Sequence, residues 1–349
     1  MSHDAIVALG VFLLENNGKG PTAMADGAAH SIDAKANDRT QKSGNTIEGF
    51  AEMRATARAL TPRISWPTFA MAIGVPLATA SVIALALSGR IPLLAATPIL
   101  GYIGYCHFIY VHEAFHHNIF PGHPRLVWLE TLFGWIGSIV LITTYPQLKH
   151  AHLLHHANLN GPDDPDTSLA RGSFKRLITF AILGIFINVF PPSIRDHLFG
   201  GENAKKYRAF LTDEQWRIHN RAGWAQSIFG LICILAGYGL EWFLLWMAAG
   251  RLGILILQIL IVWAPHQPYD PTNQFTGTRL FFSPGVTLFM WWNNMHLIHH
   301  LFPGLPFYQY PAFYKKHRAH LMANGANIEG LIPGSPPSRE VGGDAAFAG

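Results

Sequence analysis

Residues 91–117, IPLLAATPILGYIGYCHFIYVHEAFHH, begin as an apolar run and end in a histidine-rich motif. The run from 91 to 111 is about long enough to cross a membrane, since a helical crossing needs roughly 20 apolar residues. A similar run, residues 67–88, precedes it and is separated from it by Gly89 and Arg90. The two runs predict a helical hairpin whose exit brings His112 to the membrane surface.

The composition also indicates a membrane protein. Hydrophobic residues make up 50% of the 349 residues and charged residues only 13%, a balance that is unusual for a soluble domain. The net charge is +4 without a dense Lys/Arg stripe, so nucleic-acid binding is not expected. The two cysteines, Cys106 and Cys233, both lie in apolar runs and exclude a disulfide framework and a Cys-rich metal site.

The remaining apolar stretches complete a prediction of about four transmembrane helices. Residues 222–264 are long enough for two crossings, with a turn near Gly237 to Glu241. Arg251 is costly within a membrane, so it either snorkels to the surface or marks the true turn. Residues 126–145 and 177–192 are interrupted by charges, glycines or prolines and are expected to form interfacial or re-entrant helices.

The predicted fold is therefore all-α: a multi-pass membrane protein with a cytosolic helical cap that carries the histidine motifs. We expect three parts along the chain. Residues 1–62 form a disordered or interfacial leader, residues 63–322 form the membrane domain, and residues 323–349 form a flexible tail.

Three histidine clusters, HEAFHH, HLLHH and HLIHH, begin at His112, His152 and His296. Helix positions i, i+3 and i+4 share one face, so each cluster directs its imidazoles to one side. Imidazole suits iron, copper, nickel and zinc, and the clusters exceed the four ligands of one zinc ion, so two metals are predicted. His266 follows the last apolar run and is placed to add a ninth ligand. His116 and His117 compete for one position. The candidate ligands are His112, His116 or His117, His152, His155, His156, His266, His296, His299 and His300.

Metal-bound imidazoles usually donate their second ring N–H to a polar neighbour, most often a carboxylate. The candidates beside the clusters are Glu113, Asp163, Asp164, Asp166, Asn293 and Asn294. Seven histidines belong to none of the three clusters and are expected at the surface or in loops: His3, His30, His123, His197, His219, His317 and His320. His107 and His150 are expected to be bystanders.

Basic residues predict the orientation of the membrane domain. The opposite loops contain only Arg90, and Arg251 if it marks the turn, so the positive-inside rule places the histidines and both termini in the cytoplasm. The basic residues on the histidine side are Lys149, Arg171, Lys175, Arg176, Lys205, Lys206, Arg208, Lys315, Lys316 and Arg318.

Paired metals beside a bilayer point to oxidation of a lipid-like chain. Imidazole-bound iron activates O2 and permits hydrogen abstraction from an unactivated C–H bond, which no side chain does alone. The apolar helices would admit a hydrocarbon and hold one methylene near the metals.

HEAFHHN, HLLHHANLNGPDDPD and NNMHLIHHLFPGLPFYQYP resemble the three histidine boxes of the membrane fatty acid desaturase superfamily, in the branch with acyl desaturases and cyanobacterial-type β-carotene hydroxylases. The resemblance covers roughly residues 65–320. It implies a non-haem di-iron centre, four membrane helices and O2 as oxidant. It also implies that His266 is the additional ligand, whereas Val262 replaces the Asn or Asp that relatives often carry four residues earlier.

The resemblance makes a fatty-acyl desaturase the first expectation and a carotenoid hydroxylase or ketolase the alternative. Both reactions begin with the same hydrogen abstraction, and the sequence does not distinguish them. Substrate identity, regiochemistry and oligomeric state also stay open. Because no cytochrome b5 module is recognised, we expect a separate electron donor such as a ferredoxin, a rubredoxin or cytochrome b5.

Two rival functions remain on the sequence alone. His112 to His116 also spell H-E-x-x-H, the signature of zinc metallopeptidases, some of which are intramembrane proteases. That interpretation leaves both H-x-x-H-H clusters unexplained. A metal transporter is the second rival, but transport sites lie near the bilayer midplane, whereas these clusters lie outside the apolar runs.

Overall fold

The computed structural model describes residues 49–187, 190–199, 202–235, 239–283 and 285–337. Most of the expected leader, including His3 and His30, lies outside these residues, as does the end of the expected tail. Within them the fold is helical, as predicted, with one small two-stranded sheet.

The helices are numbered in chain order, and the sheet joins two distant segments near the C-terminal end. Strand β1 (Arg279–Phe281) pairs in parallel with β2 (Asn327–Glu329), with Leu280 opposite Ile328. The helices are α1 Phe50–Leu60, α2 Trp66–Leu87, α3 Leu93–Phe115, α4 Val127–Val140, α5 Tyr145–Ala157, α6 Thr167–Ala170, α7 Phe174–Ile187, α8 Pro192–Phe199, α9 Glu202–Ala209, α10 Asp213–Cys233, α11 Gly239–His266, α12 Val286–Phe289, α13 His296–Leu301 and α14 Tyr310–Ala323.

Three of the described helices, α2, α3 and α11, are long and apolar enough to cross a membrane. Helix α3 is central, because 61% of its apolar window is buried inside the protein, against 22% for α2. The exposed side chains of α2 include Leu77 and Leu85, which are suited to lipid contact. The predicted hairpin of residues 67–88 and 91–111 is thus confirmed.

A fourth crossing is less simple than the sequence indicates. Helix α10 begins at Asp213, well before residue 222. Its first half is charged, so it is not apolar enough over its length to cross a membrane as α2, α3 and α11 can. Its apolar end packs against α11, where the rings of Phe229 and Trp246 lie 6.4 Å apart. The segment Pro124–Val140, which contains α4, and helix α5 meet at an angle of 100°. They count as a fourth span only if the two are taken together as one broken crossing.

Arg251 lies in the interior of α11 and is neither at a turn nor at the surface. Its side chain is buried, and the guanidinium donates to the carbonyl oxygen of Ile142, at the break between α4 and α5. Ile142 has a positive φ of 54°, so its carbonyl group has left the helical hydrogen-bond pattern. A charge is tolerated at this depth because it is buried in protein and satisfies a broken helix.

The packed body extends beyond the expected limits of 63 and 322. Helix α1 packs against α14, with Met53 fully buried and the amino group of Lys316 donating to the hydroxyl of Thr56 (3.0 Å). Strand β2 lies within the expected tail. The division into leader, domain and tail remains a prediction.

Two histidines expected at the surface or in loops are instead buried in helices. His219 of α10 is 3% exposed, and its ring lies 5.9 Å from the ring of His150. His317 of α14 is fully buried, and its Nε2 lies 2.8 Å from the hydroxyl of Thr56. Each histidine lies on the buried face of its helix. A single histidine outside any cluster gives no signal in the sequence that it lies on such a face.

Candidate metal centre

The first histidine box lies at the C-terminal end of α3. His112 is in the last turn, and His116 is the residue that caps the helix. His117 follows with a positive φ of 57°, so the chain turns there and the His117 ring points away from those of His112 and His116. Its Nδ1 donates to Oε2 of Glu130 (2.8 Å), and the amino group of Lys149 lies 3.3 Å from its Nε2. The geometry therefore favours His116 over His117 at the centre.

The second and third boxes lie on α5 and α13, and each divides its histidines between two groups. Positions i and i+3 of a helix are about 60° apart in rotation, and i+3 and i+4 are about 100° apart, so neighbouring rings diverge. His152 and His156 meet the first box, whereas His155 points to a second group. In the third box His299 joins the first group, and His296 and His300 join the second.

Nine histidines thus form two adjoining clusters. In each cluster one nitrogen from every ring lies within 4.8 Å of the others. The rings of His156 and His300, which belong to different clusters, stack at 4.3 Å. The five-histidine cluster is His112, His116, His152, His156 and His299, and the four-histidine cluster is His155, His266, His296 and His300.

The close approach of ring nitrogens fits bound cations. The Nε2 atoms of His112 and His156 lie 3.0 and 2.8 Å from Nε2 of His299, and those of His116 and His152 are 2.8 Å apart. A neutral imidazole protonated at Nδ1 presents a lone pair at Nε2. Where both rings of a pair carry their proton on Nδ1, the two Nε2 lone pairs repel each other at this separation, and a cation between them relieves the repulsion, so the donor set suits imidazole-preferring metals.

Burial keeps the imidazoles of the third box in the neutral form that binds metal. The pKa of His296, of His299 and of His300 lies well below its usual range, first because the rings are buried and second because neighbouring imidazoles disfavour a further positive charge. Metal binding requires neutral histidine. These three rings therefore need to lose no proton near neutral pH. His155 differs: burial lowers its pKa, but the adjacent Asp164 carboxylate outweighs burial and raises the pKa to about 9, so metal binding at His155 displaces a proton.

Polar groups behind the rings fix their orientation. Nδ1 of His155 donates to both carboxylate oxygens of Asp164, at 3.0 and 2.9 Å. Nδ1 of His266 lies 3.0 Å from Oδ1 of Asn160, and Nδ1 of His299 lies 3.3 Å from the hydroxyl of Tyr310. In each case the opposite nitrogen, Nε2, is left for the cluster, as in carboxylate–histidine–metal arrangements.

The other predicted supporting residues have different positions. Asp163 is exposed, and Asp166 is 3.9 Å from Nδ1 of His155. Glu113 is fully buried, with Oε1 3.9 Å from Nδ1 of His112, which is beyond hydrogen-bond range.

Asn293 and Asn294 support the turn before α13 instead of a histidine. The amide nitrogen of Asn293 donates to the carbonyl oxygen of Met290 (3.0 Å). That of Asn294 donates to the carbonyl oxygen of Phe281 in β1 (2.7 Å). The amide nitrogen of Asn294 thus holds the third box against β1, a strand that has no signal in the sequence, and a role of Asn294 beside the ligands stays a prediction.

Three residues of this centre were missed in the sequence: Asn160, Tyr310 and Glu130. Asn160 precedes Gly161, and an Asn-Gly pair was a usable signal of a turn with positive φ. Glu130 and Tyr310 had no comparable signal, because each reaches the histidines only through packing of separate helices.

His107 and His150 lie outside both clusters, as expected of bystanders. Nε2 of His107 is 2.8 Å from the hydroxyl of Thr79, and its Nδ1 is 2.6 Å from that of Tyr110. These partners belong to α2 and α3, so His107 joins two helices.

A family model described as fatty acid desaturase matches residues 88–329, more than half of the chain. The chain is similar to a Delta(12) fatty acid dehydrogenase from Crepis alpina, with 23% identity over 227 residues, 56% of this chain and 60% of the relative. It is also similar to a beta-carotene ketolase from a Paracoccus species, with 23% identity over 241 residues, 63% of this chain and 79% of the relative. The match therefore spans less than two thirds of the Crepis protein.

Proposed function

The chain belongs to the fatty acid desaturase family, and we propose that it is a membrane-bound, O2-dependent oxidoreductase that desaturates a fatty-acyl or similar lipid chain. The observation that carries the proposal is the convergence of nine histidines in two adjoining clusters at the end of the central apolar helix. We propose that the clusters hold two non-haem iron ions. When bound, such iron supplies O2 activation and hydrogen abstraction from unactivated carbon.

The protein would supply position and exclusion of water. His112, His155 and His299 are almost fully buried, so a substrate carbon beside them is shielded from solvent. Apolar side chains of α2 and α3 are exposed. They would face the lipid and offer a route by which a hydrocarbon chain reaches the centre. The methylene that reacts would be selected by where the chain is held relative to the clusters.

A carotenoid hydroxylase or ketolase is the second candidate. It is supported by the similarity to the Paracoccus ketolase, which extends over 79% of that protein. Both candidates need the same histidine clusters and the same first hydrogen abstraction. They differ in whether a second hydrogen leaves or oxygen is inserted.

Two other interpretations explain less of the structure. A zinc metallopeptidase would need His112, His116 and one more ligand, whereas five imidazoles meet here, and zinc sites take about four ligands. A transporter would need ligands near the middle of a span, and the clusters gather at helix ends. The family supports neither.

Metal content tests the proposed centre. We expect protein purified with iron to hold two iron ions per chain and His299→Ala to lose iron and turnover together, because His299 contacts rings from both other boxes. His197→Ala is the matched control, since His197 is exposed and lies outside both clusters. Active protein with a single zinc ion, or with no metal, would contradict the proposal.

Product analysis separates the two candidate reactions. The chain would be expressed in a host that contains both acyl lipids and β-carotene, and both pools would be profiled by mass spectrometry. Loss of two hydrogens from an acyl chain supports desaturation, and gain of oxygen on the pigment supports the alternative. If neither pool changes, the proposed substrate class is wrong.

We also propose that the histidine boxes and both termini face the cytoplasm, where a separate electron donor of ferredoxin, rubredoxin or cytochrome b5 type reaches them. Asp163 and Arg90 are exposed and lie on opposite sides in this topology. A membrane-impermeant thiol reagent should label D163C only from the cytoplasmic side and R90C only from the other side. Labelling of both from one side would refute the topology.

A further inference from the structure

Asn160 lies in the turn after α5 and links ligands that are far apart in the sequence. It is 2% exposed, and its side chain reaches His266, 106 residues later. We propose that Asn160 is a positioning residue of the metal centre, which holds His266 in the tautomer that directs Nε2 to the four-histidine cluster. The inference rests on the proposed metal centre and adds a residue to it.

The backbone of Asn160 is held on both sides. Its N–H donates to Oδ2 of Asp164 (2.8 Å), and its carbonyl oxygen accepts from the hydroxyl of Tyr269. Its φ is +56°, in the left-handed region that Gly and Asn adopt most readily. The residue therefore presents its side chain from a defined position, and only a few residue types would fit the same backbone.

The contacts of the amide fix which of its atoms faces His266. The nitrogen Nδ2 lies 2.8 Å from the carbonyl oxygen of Asp270 and 2.6 Å from that of Gly277. Carbonyl oxygens only accept hydrogen bonds, so the atom between them must be the NH2 group. Oδ1 therefore faces His266, and because this oxygen only accepts, Nδ1 of His266 must carry the proton.

The same turn orients a second ligand in the same way. Asp164 accepts from Nδ1 of His155, and the backbone N–H of Asn160 donates to the same carboxylate. His155 on α5 and His266 on α11 are thus held by one hydrogen-bonded turn, and their rings lie 5.0 Å apart. Both belong to the four-histidine cluster. None of these hydrogen bonds involves a histidine of the five-histidine cluster.

Three variants test the role of Asn160. Asn160→Gly keeps the left-handed backbone and removes the acceptor for His266. Asn160→Asp keeps an acceptor and the backbone preference but loses both N–H donors to the loop of residues 270–277. Asn158→Ala is the matched control in the same turn, because the Asn158 amide donates only to the Leu154 carbonyl oxygen among the described contacts.

The measurement is iron per chain after a mild chelator challenge, together with Mössbauer spectra of iron-enriched protein. We expect Asn160→Gly to bind the iron of the four-histidine cluster about 10- to 100-fold more weakly, the usual effect of removing such a partner. About one iron per chain should then remain, with one of two spectral components lost. Asn160→Asp and Asn158→Ala should keep both irons.

Each other outcome overturns the proposal. If Asn160→Gly keeps both irons, His266 does not depend on the amide. If Asn160→Asp loses iron as Asn160→Gly does, the hydrogen bonds from the Asn160 amide nitrogen to the loop of residues 270–277 are what matters, and the acceptor for His266 is not. Loss of both irons from Asn160→Gly would show an effect on the whole fold. Wild-type protein without two irons would instead refute the proposed centre.

Discussion

Glu130 of α4 is a buried carboxylate that organises the end of the first histidine box. Its Oε1 accepts from the backbone N–H groups of Ile119 (3.0 Å) and Phe120 (2.7 Å), and its Oε2 accepts from Nδ1 of His117. These bonds hold the turn that follows His116. They also keep His117 away from the five-histidine cluster.

We expect Glu130→Ala to lower the free energy of unfolding and the iron content. The substitution leaves two buried N–H groups without an acceptor, and each such group costs about 1–3 kcal/mol. Glu130→Gln retains an amide oxygen for these N–H groups and should lose much less. Thermal unfolding in detergent and metal analysis measure both effects. Equal stability of the alanine variant and the wild type would show that the carboxylate does not hold the turn.

At the scale of elements, α3 and α11 approach each other through glycine. A Cβ placed on Gly104 would lie 1.8 Å from the carbonyl oxygen of Ala249, and one on Gly253 would lie 2.6 Å from the carbonyl carbon of Gly104. Small residues allow membrane helices to approach this closely. The contact sets the relative position of the helices that carry His112 and His266.

We expect Gly104→Ala to destabilise the protein by about 1–3 kcal/mol, the usual cost of inserting a methyl group into a close-packed contact. Metal retention should fall with it, because α11 must move away from α3. Gly74→Ala is the control, since a Cβ at Gly74 of α2 meets no atom within 4 Å. Thermal unfolding compares them, and similar transitions for both variants would contradict the close contact.

At the scale of the whole molecule, the C-terminal segment is attached to the end of α11 through the buried guanidinium of Arg279. Its Nε donates to the carbonyl oxygen of Ala264 (2.9 Å), two residues before His266. Its other nitrogens donate to Oε2 of Glu329 (3.2 Å) and to the carbonyl oxygens of Gly330 (2.9 Å) and Leu331 (2.8 Å). Residues beyond 326 thus support the segment that carries His266, a candidate ligand more than 60 positions earlier.

Deletion of residues 327–349 should destabilise the protein strongly. Arg279 would lose three acceptors, and removal of one partner of a buried charge typically costs about 3–5 kcal/mol. Deletion of residues 338–349 alone is the control, because it leaves all three acceptors in place. Unfolding temperature and iron content measure the effect. If both deletions behave as the full chain does, Arg279 does not anchor the segment.

The amino-acid sequence by itself determined the apolar hairpin of α2 and α3 and the three histidine boxes. Both are local patterns: an apolar run must bury its backbone in a helix, and histidines at i, i+3 and i+4 lie near one another on any helix. Family membership follows from these same boxes. The sequence could therefore predict eight box ligands and His266 as candidates.

Only the tertiary structure decided how these histidines divide into clusters and which groups hold them. The separation of His155 from His152 and His156, the turn of His117 toward Glu130, the Arg251 contact with Ile142 and the link from Asn160 to His266 all depend on packing between separate helices and loops. The periodicity of one helix specifies which residues share a face. It carries no information about the groups, often more than 100 residues away, that the rest of the chain brings against that face.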